Sequence, residues 1–371
     1  MFGFDAAELA AARTVRPAYQ PLRHWLEGSP RELMETRRRQ AELFFRRIGI
    51  TFAVYGDPDA AERLIPFDIV PRILAREEWT ALEAGLKQRV GALNAFLADI
   101  YGKQEILRAG LVPPELVLLN PAFAMSQIGK RPVGDIWVQI AGIDLVRTDA
   151  NQFFVLEDNA RTPSGVSYML ENREVMLKLV PELFANLHVA PVEAYPEKLL
   201  ETLHSVAPPG AGDEPNSVLL TPGQHNSAFY EHSFLADKLG IELVEGNDLF
   251  VRDDVVYMRT TEGPQRVDVI YRRLDDDFLD PLAFNPASML GVPGLMSAYA
   301  AGNVTLANAV GTGVADDKAI YSYMPEIVKF YTGEEPLLSN VPTHRCREPE
   351  ALAYVLDHLP ELVVKEVDGS G

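Results

Sequence analysis

The stretch VLEDNARTPSG, residues 155–165, places an acid–acid–amide triplet at the end of an apolar run. An arginine and a Pro/Ser/Gly loop follow the triplet directly. A strand that served only the core would end in a turn without three oxygen-bearing side chains. The triplet therefore indicates a site at the end of this strand.

The apolar run before the triplet has a partner segment. IWVQIAGIDLVR and QFFVLEDN flank the turn-forming tip TDAN and predict a β-hairpin. Because alternate side chains of a strand share a face, Glu157 and Asn159 should point one way and Asp158 the other. A two-residue tip at 150–151 puts Asp144 directly opposite Glu157, and a longer tip makes them diagonal neighbours.

Two carboxylates and an amide oxygen on one face are hard ligands of the kind that suit Mg²⁺. This ion usually keeps several waters and takes substrate phosphates as its remaining ligands. The sequence therefore predicts Asp144, Glu157 and Asn159 as metal ligands. A surface-facing polar strand end is the alternative, since a Glu-x-Asn pattern alone is common.

Nucleotide chemistry also needs cations and backbone N–H groups around the phosphates. The stretch VVKEVDGSG offers Lys365 on a predicted strand, followed by Gly369 and Gly371. Lys318 follows a second glycine-bearing stretch, AVGTGVADDK. Either lysine taken alone is more often a surface residue. The sequence contains neither a Walker motif nor G-x-G-x-x-G after a strand.

The composition limits the classes of protein and partner. At 371 residues, with 47% hydrophobic and 23% charged, the chain is typical of a soluble globular protein with more than one domain. A net charge of −19 argues against nucleic acid or an anionic membrane as a general partner. The single cysteine, Cys346, excludes an internal disulfide and fits a reducing compartment. With no membrane-length apolar run and no signal-peptide pattern, the expected location is the cytoplasm.

The periodicity of the chain changes along its length. The N-terminal part has mostly helical patterns, and a Pro/Gly-rich linker candidate, APPGAGDEPN, precedes position 217. Strand–helix–strand alternation follows the linker and predicts a small α/β domain with parallel strands.

The ordered set of motifs resembles the circularly permuted ATP-grasp proteins, which are relatives of glutathionylspermidine synthase. The motifs are GIDLVRTDANQFFVLEDNARTPSGVSYMLENR, VDVIYRRLDDDFLDP, AGNVTLANAVGTGVADDKAIY and VVKEVDGSG. VLEDNxRTPSGVSY carries most of the weight. In ordinary ATP-grasp enzymes the lysine and glycine loop precede the metal-binding acid and Asn, and permutation requires the reversed order found here. The implied fold is mixed α/β and ATP-grasp-like, with an inserted small α/β domain of the pre-ATP-grasp type.

The resemblance implies a division of the chain and of its ligands. Residues 1–204 would hold a helical region and the metal-binding lobe, 205–345 the small α/β domain, and 346–371 the start of a nucleotide-clamping lobe. The implied ligands are Asp144, Glu157 and Asn159 for Mg²⁺, Lys318 and Lys365 for ATP, and Gly369 and Gly371 for the phosphate-covering loop. Because the last predicted strand lacks a returning partner, we expect the lobe to be incomplete and ATP turnover by this form to be weak.

One position departs from the synthase-type pattern. An arginine is expected two residues before the metal aspartate, and this chain has Gly142 there. Arg147 and Arg161 are the candidates to replace it, and we predict Arg161 as a catalytic residue.

The implied reaction is ATP- and Mg-dependent carboxylate–amine ligation through an acyl phosphate, which requires no protein nucleophile. The lack of a G-x-S-x-G elbow agrees with this. The implied partners are a small-molecule or peptide carboxylate and an amine, with no nucleic acid and no membrane. A phosphotransferase and a non-catalytic ATP-binding partner protein stay open as alternatives, and Gly142 favours the second.

Other polar residues are weaker candidates. Arg272 and Arg273 end the strand VDVIYRR, where ligands bind in α/β sheets, so Arg272 is predicted to hold a substrate carboxylate. Pairing with the acids at 275–277 is an equal alternative. His225 and His232 fit a polar loop and helix end, or a substrate contact; zinc would need closer spacing and a third ligand.

Overall fold

The computed structural model describes residues 15–48, 51–52, 63–64, 67–149 and 152–367. The predicted hairpin tip at 150–151 and the predicted loop glycines Gly369 and Gly371 lie outside these ranges. Within the described ranges, no helix combines the length and apolar character needed to cross a membrane.

The secondary structure is mixed, as the sequence predicts. The α-helices are α1 Gln20–Gly28, α2 Arg31–Ile48, α3 Arg76–Ile100, α4 Glu105–Arg108, α5 Pro114–Leu118, α6 Val166–Leu179, α7 Pro181–Asn186, α8 Tyr195–Ser205, α9 Phe229–Leu239, α10 Asp276–Leu279, α11 Leu295–Ala300, α12 Lys318–Tyr321, α13 Met324–Thr332 and α14 Pro349–Asp357. The strands are β1 Thr51–Phe52, β2 Arg63–Leu64, β3 Gly142–Asp149, β4 Gln152–Asn159, β5 Ser217–Leu220, β6 Glu242–Val244, β7 Leu249–Arg252, β8 Val255–Thr260, β9 Gly263–Arg266, β10 Val269–Arg272, β11 Thr305–Ala307 and β12 Ser339–Asn340. Short 3₁₀ helices span Pro17–Tyr19, Met125–Gln127, Val133–Asp135, Gly246–Asp248, Thr312–Asp316 and Leu359–Glu361.

The chain separates into two compact units. The smaller unit consists of Met1–Trp79, Gly165–Tyr195 and Asn226–Glu231, and the larger of Thr80–Ser164, Pro196–His225 and His232–Gly371. These boundaries differ from the division at 204 and 345, which stays a prediction. The predicted metal-binding strands lie in the larger unit, and so does the predicted small α/β segment except for Asn226–Glu231.

The smaller unit is built on helices whose apolar faces share one core. Its buried members are Leu22, Ala41, Phe45, Ile69, Val175, Met176, Leu179, Val180 and Leu183. Buried Glu231 accepts hydrogen bonds from the backbone N–H groups of Gly165 and Ser167 and from the Ser167 hydroxyl. The carboxylate thus satisfies N–H groups at the start of α6 and lies at the positive end of its dipole.

A parallel sheet of order β11-β10-β5-β6 forms one part of the larger unit. Every residue of β5, β10 and β11 is buried, which explains why these strands have nearly continuous apolar sequences instead of alternating ones. The predicted α/β arrangement with parallel strands is therefore confirmed. Strands β7, β8 and β9 form a separate antiparallel sheet.

The predicted hairpin is formed by β3 and β4, and β12 pairs parallel to β4 on the other side. Asp149 pairs with Gln152 near the tip, and Asp144 pairs with Glu157 at the far end. Two irregularities of register lie between these pairs and offset each other. The predicted placement of Asp144 opposite Glu157 is confirmed.

The segment before β3 differs from the prediction. Residues 136–140 were expected to begin the hairpin strand, but regular pairing starts at Gly142. The backbone N–H groups of Trp137 and Val138 instead donate to the side-chain oxygen of Asn94. Trp137 is also buried in the helical core of this unit. A side-chain amide thus satisfies the backbone in place of a strand partner.

The C-terminal described segment also differs. Residues 363–366 have no regular secondary structure, so the predicted strand carrying Lys365 is not formed. Val367 accepts a hydrogen bond through its carbonyl from the Lys318 N–H at 3.1 Å. This contact joins the segment to the start of α12 and belongs to no strand ladder.

Candidate active site

The two predicted metal carboxylates face each other across the hairpin. Asp144 and Glu157 are register partners; Asp144 is exposed and Glu157 is partly buried. Burial raises the pKa of Asp144, and the charge of Glu157 raises it further. A carboxyl group whose ionisation is disfavoured in this way provides the electrostatic setting that a divalent cation relieves.

Two lysines from distant parts of the chain meet the same carboxylate. The Nζ atoms of Lys318 and Lys365 each lie 3.9 Å from Glu157 Oε2. The side chains of Lys318 and Lys365 are 19% and 37% exposed. Long, partly exposed contacts of this type contribute about 0–1 kcal/mol, so they hold the lysines in place only weakly. The structure brings together the two lysines and the glutamate that the sequence singled out separately.

Asn159 completes the predicted ligand set. It is the register partner of Gly142, and its Nδ2 donates to the Gly142 carbonyl at 3.2 Å. This bond uses the amide nitrogen, which leaves Oδ1 as the atom that could bind a cation. Two carboxylates and one neutral amide oxygen fit Mg²⁺. The described residues contain no cluster of three or more His, Cys, Asp or Glu side chains suited to a metal ion.

The glycine that departs from the synthase-type pattern is tightly packed. A Cβ atom on Gly142 would lie 2.9 Å from Pro163 Cβ and 3.6 Å from Asn159 Cβ. The TPSG loop therefore fills the space where a longer side chain would start. An arginine at position 142 would require this loop to move.

Three side chains form hydrogen bonds with the backbone of the loop after Asn159. Asp316 Oδ1 accepts from the N–H groups of Ala160 at 2.5 Å and Arg161 at 3.0 Å. Asn308 Nδ2 donates to the Ala160 carbonyl at 2.8 Å, and Arg273 Nη1 donates to the Pro163 carbonyl at 2.5 Å. These bonds give the loop a defined backbone position next to β4.

Arg161 projects from this loop toward two carboxylates. Its Nε lies 3.3 Å from Asp275 Oδ1 and 3.6 Å from Asp316 Oδ2, and its side chain is 37% exposed. Burial raises the pKa of Asp316 to about 6, although the hydrogen bond from the Ala160 N–H and the charge of Arg161 act to lower it. Arg147, the other candidate, has its guanidinium 4.7 Å from the centre of the Phe153 ring. Arg161 is thus the candidate on the loop that directly follows the predicted metal ligands.

Arg272 is a correction to the sequence prediction. Its side chain is fully buried, and it donates to the carbonyl groups of Asn308, Leu274 and Ala309 at 2.8–3.1 Å. It also pairs with Asp276 at 2.7 Å. The prediction that Arg272 holds a substrate carboxylate is therefore wrong. Pairing with the acidic stretch at 275–277, the alternative, is what the structure contains.

The two histidines differ in their surroundings. His232 is buried, with Nδ1 2.8 Å from Thr221 Oγ1. Burial lowers its pKa to about 3, and the nearby charge of Arg273 adds to the effect. His225 is exposed. His232 is therefore a neutral, hydrogen-bonded core residue.

Two residues of the site region were missed by the sequence reasoning. Asn308 follows β11 and connects the parallel sheet to the hairpin. Its Nδ2 donates to the Ala160 carbonyl, and its Oδ1 accepts from the N–H groups of Gln139 and Ile140. Asp316 lies two residues before Lys318 and holds the 160–161 backbone. The acid pair in VADDK was a visible signal for Asp316. Asn308 had no local signal, since an isolated Asn in an apolar stretch is also common in turns.

Comparison with known proteins agrees with this arrangement. The sequence profile described as a circularly permuted ATP-grasp matches residues 71–371. An uncharacterised protein of Synechocystis sp. is 53% identical over 96% of this chain and 74% of its own length. A Frankia alni protein named "Putative glutamate--cysteine ligase 2-3" is 43% identical over 96% of this chain and 41% of its own length. This chain therefore spans between 41% and 74% of the length of these two relatives.

A solved structure shares the fold. The apo form of a glutathione synthetase-like effector from Globodera pallida superposes with a TM-score of 0.53 at 14% identity, covering 82% of this chain and 69% of that one. The mixed α/β, ATP-grasp-like fold is thus shown, and the profile match assigns the class. The chain belongs to the circularly permuted ATP-grasp family.

Proposed function

We propose that this protein is an ATP- and Mg²⁺-dependent carboxylate–amine ligase that works through an acyl phosphate. Membership of the ATP-grasp family and the name of the Frankia relative support an ATP-dependent ligase in general. The observation that carries the finer proposal is the convergence of Lys318, Lys365 and Asp144 on Glu157. An acidic pair with two lysine side chains beside it suits a metal-bound polyphosphate.

Each side chain has a role that its position supports. Asp144, Glu157 and the Oδ1 of Asn159 would hold Mg²⁺, and the ion would offset charge on the ATP phosphates. Lys318 and Lys365 bind phosphate oxygens. Because their contacts to Glu157 are long, little energy is lost when phosphate replaces them. Arg161, partly exposed on its fixed loop, receives the substrate carboxylate or the developing acyl phosphate.

The proposed reaction has two steps. A carboxylate oxygen of the substrate attacks the γ-phosphorus of ATP, and ADP leaves. The amine then attacks the acyl carbon, loses a proton, and displaces inorganic phosphate to give an amide. The protein's own groups orient the reactants and offset negative charge, which is the main catalytic requirement of phosphoryl transfer. No side chain needs to become covalently attached.

The test is amine-dependent turnover. The purified protein is incubated with ATP, Mg²⁺ and pools of amino acids and short peptides, while ADP, phosphate and amide products are measured by mass spectrometry. A ligase releases ADP and phosphate only when both carboxylate and amine are present. Lys365→Met should lose most of this turnover, and Lys103→Met, at a lysine that is 77% exposed in a surface pair with Glu105, should keep it.

A non-catalytic ATP-binding role is the second candidate, and one observation favours it. Pro163 fills the space beside Gly142, so the arginine of the synthase-type pattern has no equivalent there. This role predicts that Mg-ATP binds, that Glu157→Gln weakens the binding, and that no substrate pool produces ADP. Phosphotransfer instead predicts ADP release with a phosphorylated product and no dependence on amine.

A further inference from the structure

The antiparallel sheet of the larger unit carries an alternating row of arginines and aromatic rings. Phe250 and Tyr257 are register partners with ring centres 5.6 Å apart. The Arg252 guanidinium lies 5.0 Å from the Tyr257 ring centre, and that of Arg259 lies 4.6 Å from the Phe250 ring centre. We call these four residues the Arg–aromatic row. The two arginines are its exposed ends.

Two positive charges lie on this row. Within the described residues, neither Arg252 nor Arg259 forms an ion pair or a hydrogen bond. The whole sequence has a net charge of −19, so carboxylates are in excess over cations. A guanidinium fixed over an aromatic face, with its N–H groups still unused, is prepared to bind a planar anion.

A cavity lies at one end of the row. It has a volume of about 360 Å³ and is lined by Gly246, Asn247, Leu249, Phe250, Val251, Arg259, Gly291 and Pro293. Among these described lining residues, Arg259 is the only charged one. The rest of the lining combines apolar side chains with polar groups, among them the Asn247 amide. A cavity of this size with convergent polar groups suits a small ligand.

The walls of the cavity are closely packed. A Cβ on Gly246 would lie 2.4 Å from the Leu290 carbonyl oxygen, and one on Gly291 would lie 2.1 Å from the Phe278 carbonyl oxygen. At each glycine, two backbone segments therefore approach more closely than a side chain would allow. The first contact fixes the turn before β7 against the 290–291 segment, and the second fixes Gly291 against α10.

The backbone of β7 offers further recognition. β7 is the edge strand of its sheet, and its tight turn at 253–254 makes Arg252 and Val255 the closing pair. In an antiparallel ladder the bonded residues alternate, so Val251 directs its N–H and C=O away from β8. A peptide-like amide can bind such an edge.

We propose that this cavity binds a small carboxylate with a peptide-like amide and an apolar body, such as an N-acylated apolar amino acid or a dipeptide. The carboxylate pairs with Arg259, the amide bonds the outer edge of β7 at Val251, and the apolar group packs on Phe250 and Pro293. The site needs neither nucleotide nor metal, so it stands independently of the proposed ligase activity.

The test uses N-acetyl-L-leucine as the probe and N-acetyl-L-leucinamide as its uncharged counterpart. Binding to the intact protein, without ATP or Mg²⁺, is followed by ligand-observed NMR titration. We expect the acid to bind with a Kd of about 1 mM or tighter and at least ~10-fold better than the amide. Arg259→Gln should remove this preference and weaken binding of the acid by about tenfold or more.

Arg252→Gln is the matched control. Arg252 is equally exposed and stacks on the other ring of the same row, but it does not line the cavity. The Arg252→Gln variant should bind the acid as tightly as the unchanged protein does. Thermal melting should show that both variants are folded. Equal binding of acid and amide, an equal loss in both variants, or no binding of the acid at ~10 mM would overturn the proposal.

Discussion

Glu157 and Asp158 are neighbours on one strand and differ in almost everything else. Asp158 is buried, and Arg89 donates to both of its carboxylate oxygens at 2.6 Å. Glu157 is on the opposite face, partly exposed, with two lysines at 3.9 Å from one oxygen. The first carboxylate has a complete set of short protein contacts, and the second does not. A carboxylate whose oxygens are all bonded within the protein supports the fold. A carboxylate with only long protein contacts is able to bind a ligand.

The largest expected effect tests the buried side of this comparison. Asp158→Ala leaves the Arg89 guanidinium buried without its partner, which should lower the free energy of unfolding by about 3–5 kcal/mol. Glu157→Ala removes only long, partly exposed contacts and should change it by about 1 kcal/mol or less. Urea denaturation of both variants makes the measurement.

A double variant separates charge burial from packing at this position. Arg89→Met with Asp158→Leu removes both charges and should recover much of the stability lost in Asp158→Ala. Similar losses for Asp158→Ala and Glu157→Ala would contradict the distinction between the two faces.

The second prediction extends the comparison to a buried and an exposed histidine. His232 has a pKa lowered to about 3 by burial and by Arg273, so the unfolded chain binds its proton more readily. Stability should therefore be lost as the pH falls from about 6.5 toward 3, by up to ~1.4 kcal/mol per pH unit. His232→Asn should make the loss shallower in calorimetric scans. Exposed His225→Asn should leave it unchanged, and identical slopes for all three proteins would contradict the assignment.

The third prediction concerns Glu157, the carboxylate with only long contacts to the protein. Glu157→Gln keeps the shape of the side chain but removes the charge that would hold Mg²⁺, so Mg-ATP binding should weaken by about tenfold or more. Calorimetric titration measures the binding, and the free energy of unfolding should stay within about 1 kcal/mol. Glu83→Gln, in an exposed pair with Lys87, is the control and should bind Mg-ATP normally. An equal loss of binding in the control would remove Glu157 from the site.

The smallest effect concerns repulsion between the paired carboxylates. Because burial and Glu157 raise the pKa of Asp144, its ionised form is disfavoured in the folded protein. Asp144→Asn should therefore stabilise the metal-free protein by a few tenths of a kcal/mol at neutral pH, since partial exposure screens the charges. The same change should weaken Mg-ATP binding. A clear loss of stability without metal would show that Asp144 supports the fold.

Much of the candidate site was predictable because its logic is local. The two-residue period of a strand placed Glu157 and Asn159 on one face and Asp158 on the other, and the turn-forming tip placed Asp144 opposite Glu157. The parallel sheet was predictable from the alternation of apolar runs with helical patterns. The predictions of a strand around Lys365 and of a strand beginning before Gly142 were wrong, because the sequence of a segment does not specify which other segment its backbone will pair with.

The sequence by itself therefore determined the family, the mixed α/β class and the strand face on which Glu157 and Asn159 lie. Tertiary structure alone decided which basic side chains lie near Glu157. Lys318 and Lys365 reach Glu157, while Arg272, equally prominent in the sequence, is buried against Asp276 and three carbonyl groups. The physical reason is that side-chain direction repeats over two residues, whereas contacts depend on how segments fold together. Lys318 and Lys365 meet Glu157 from more than a hundred residues away, and carbonyl groups up to 37 residues away surround Arg272.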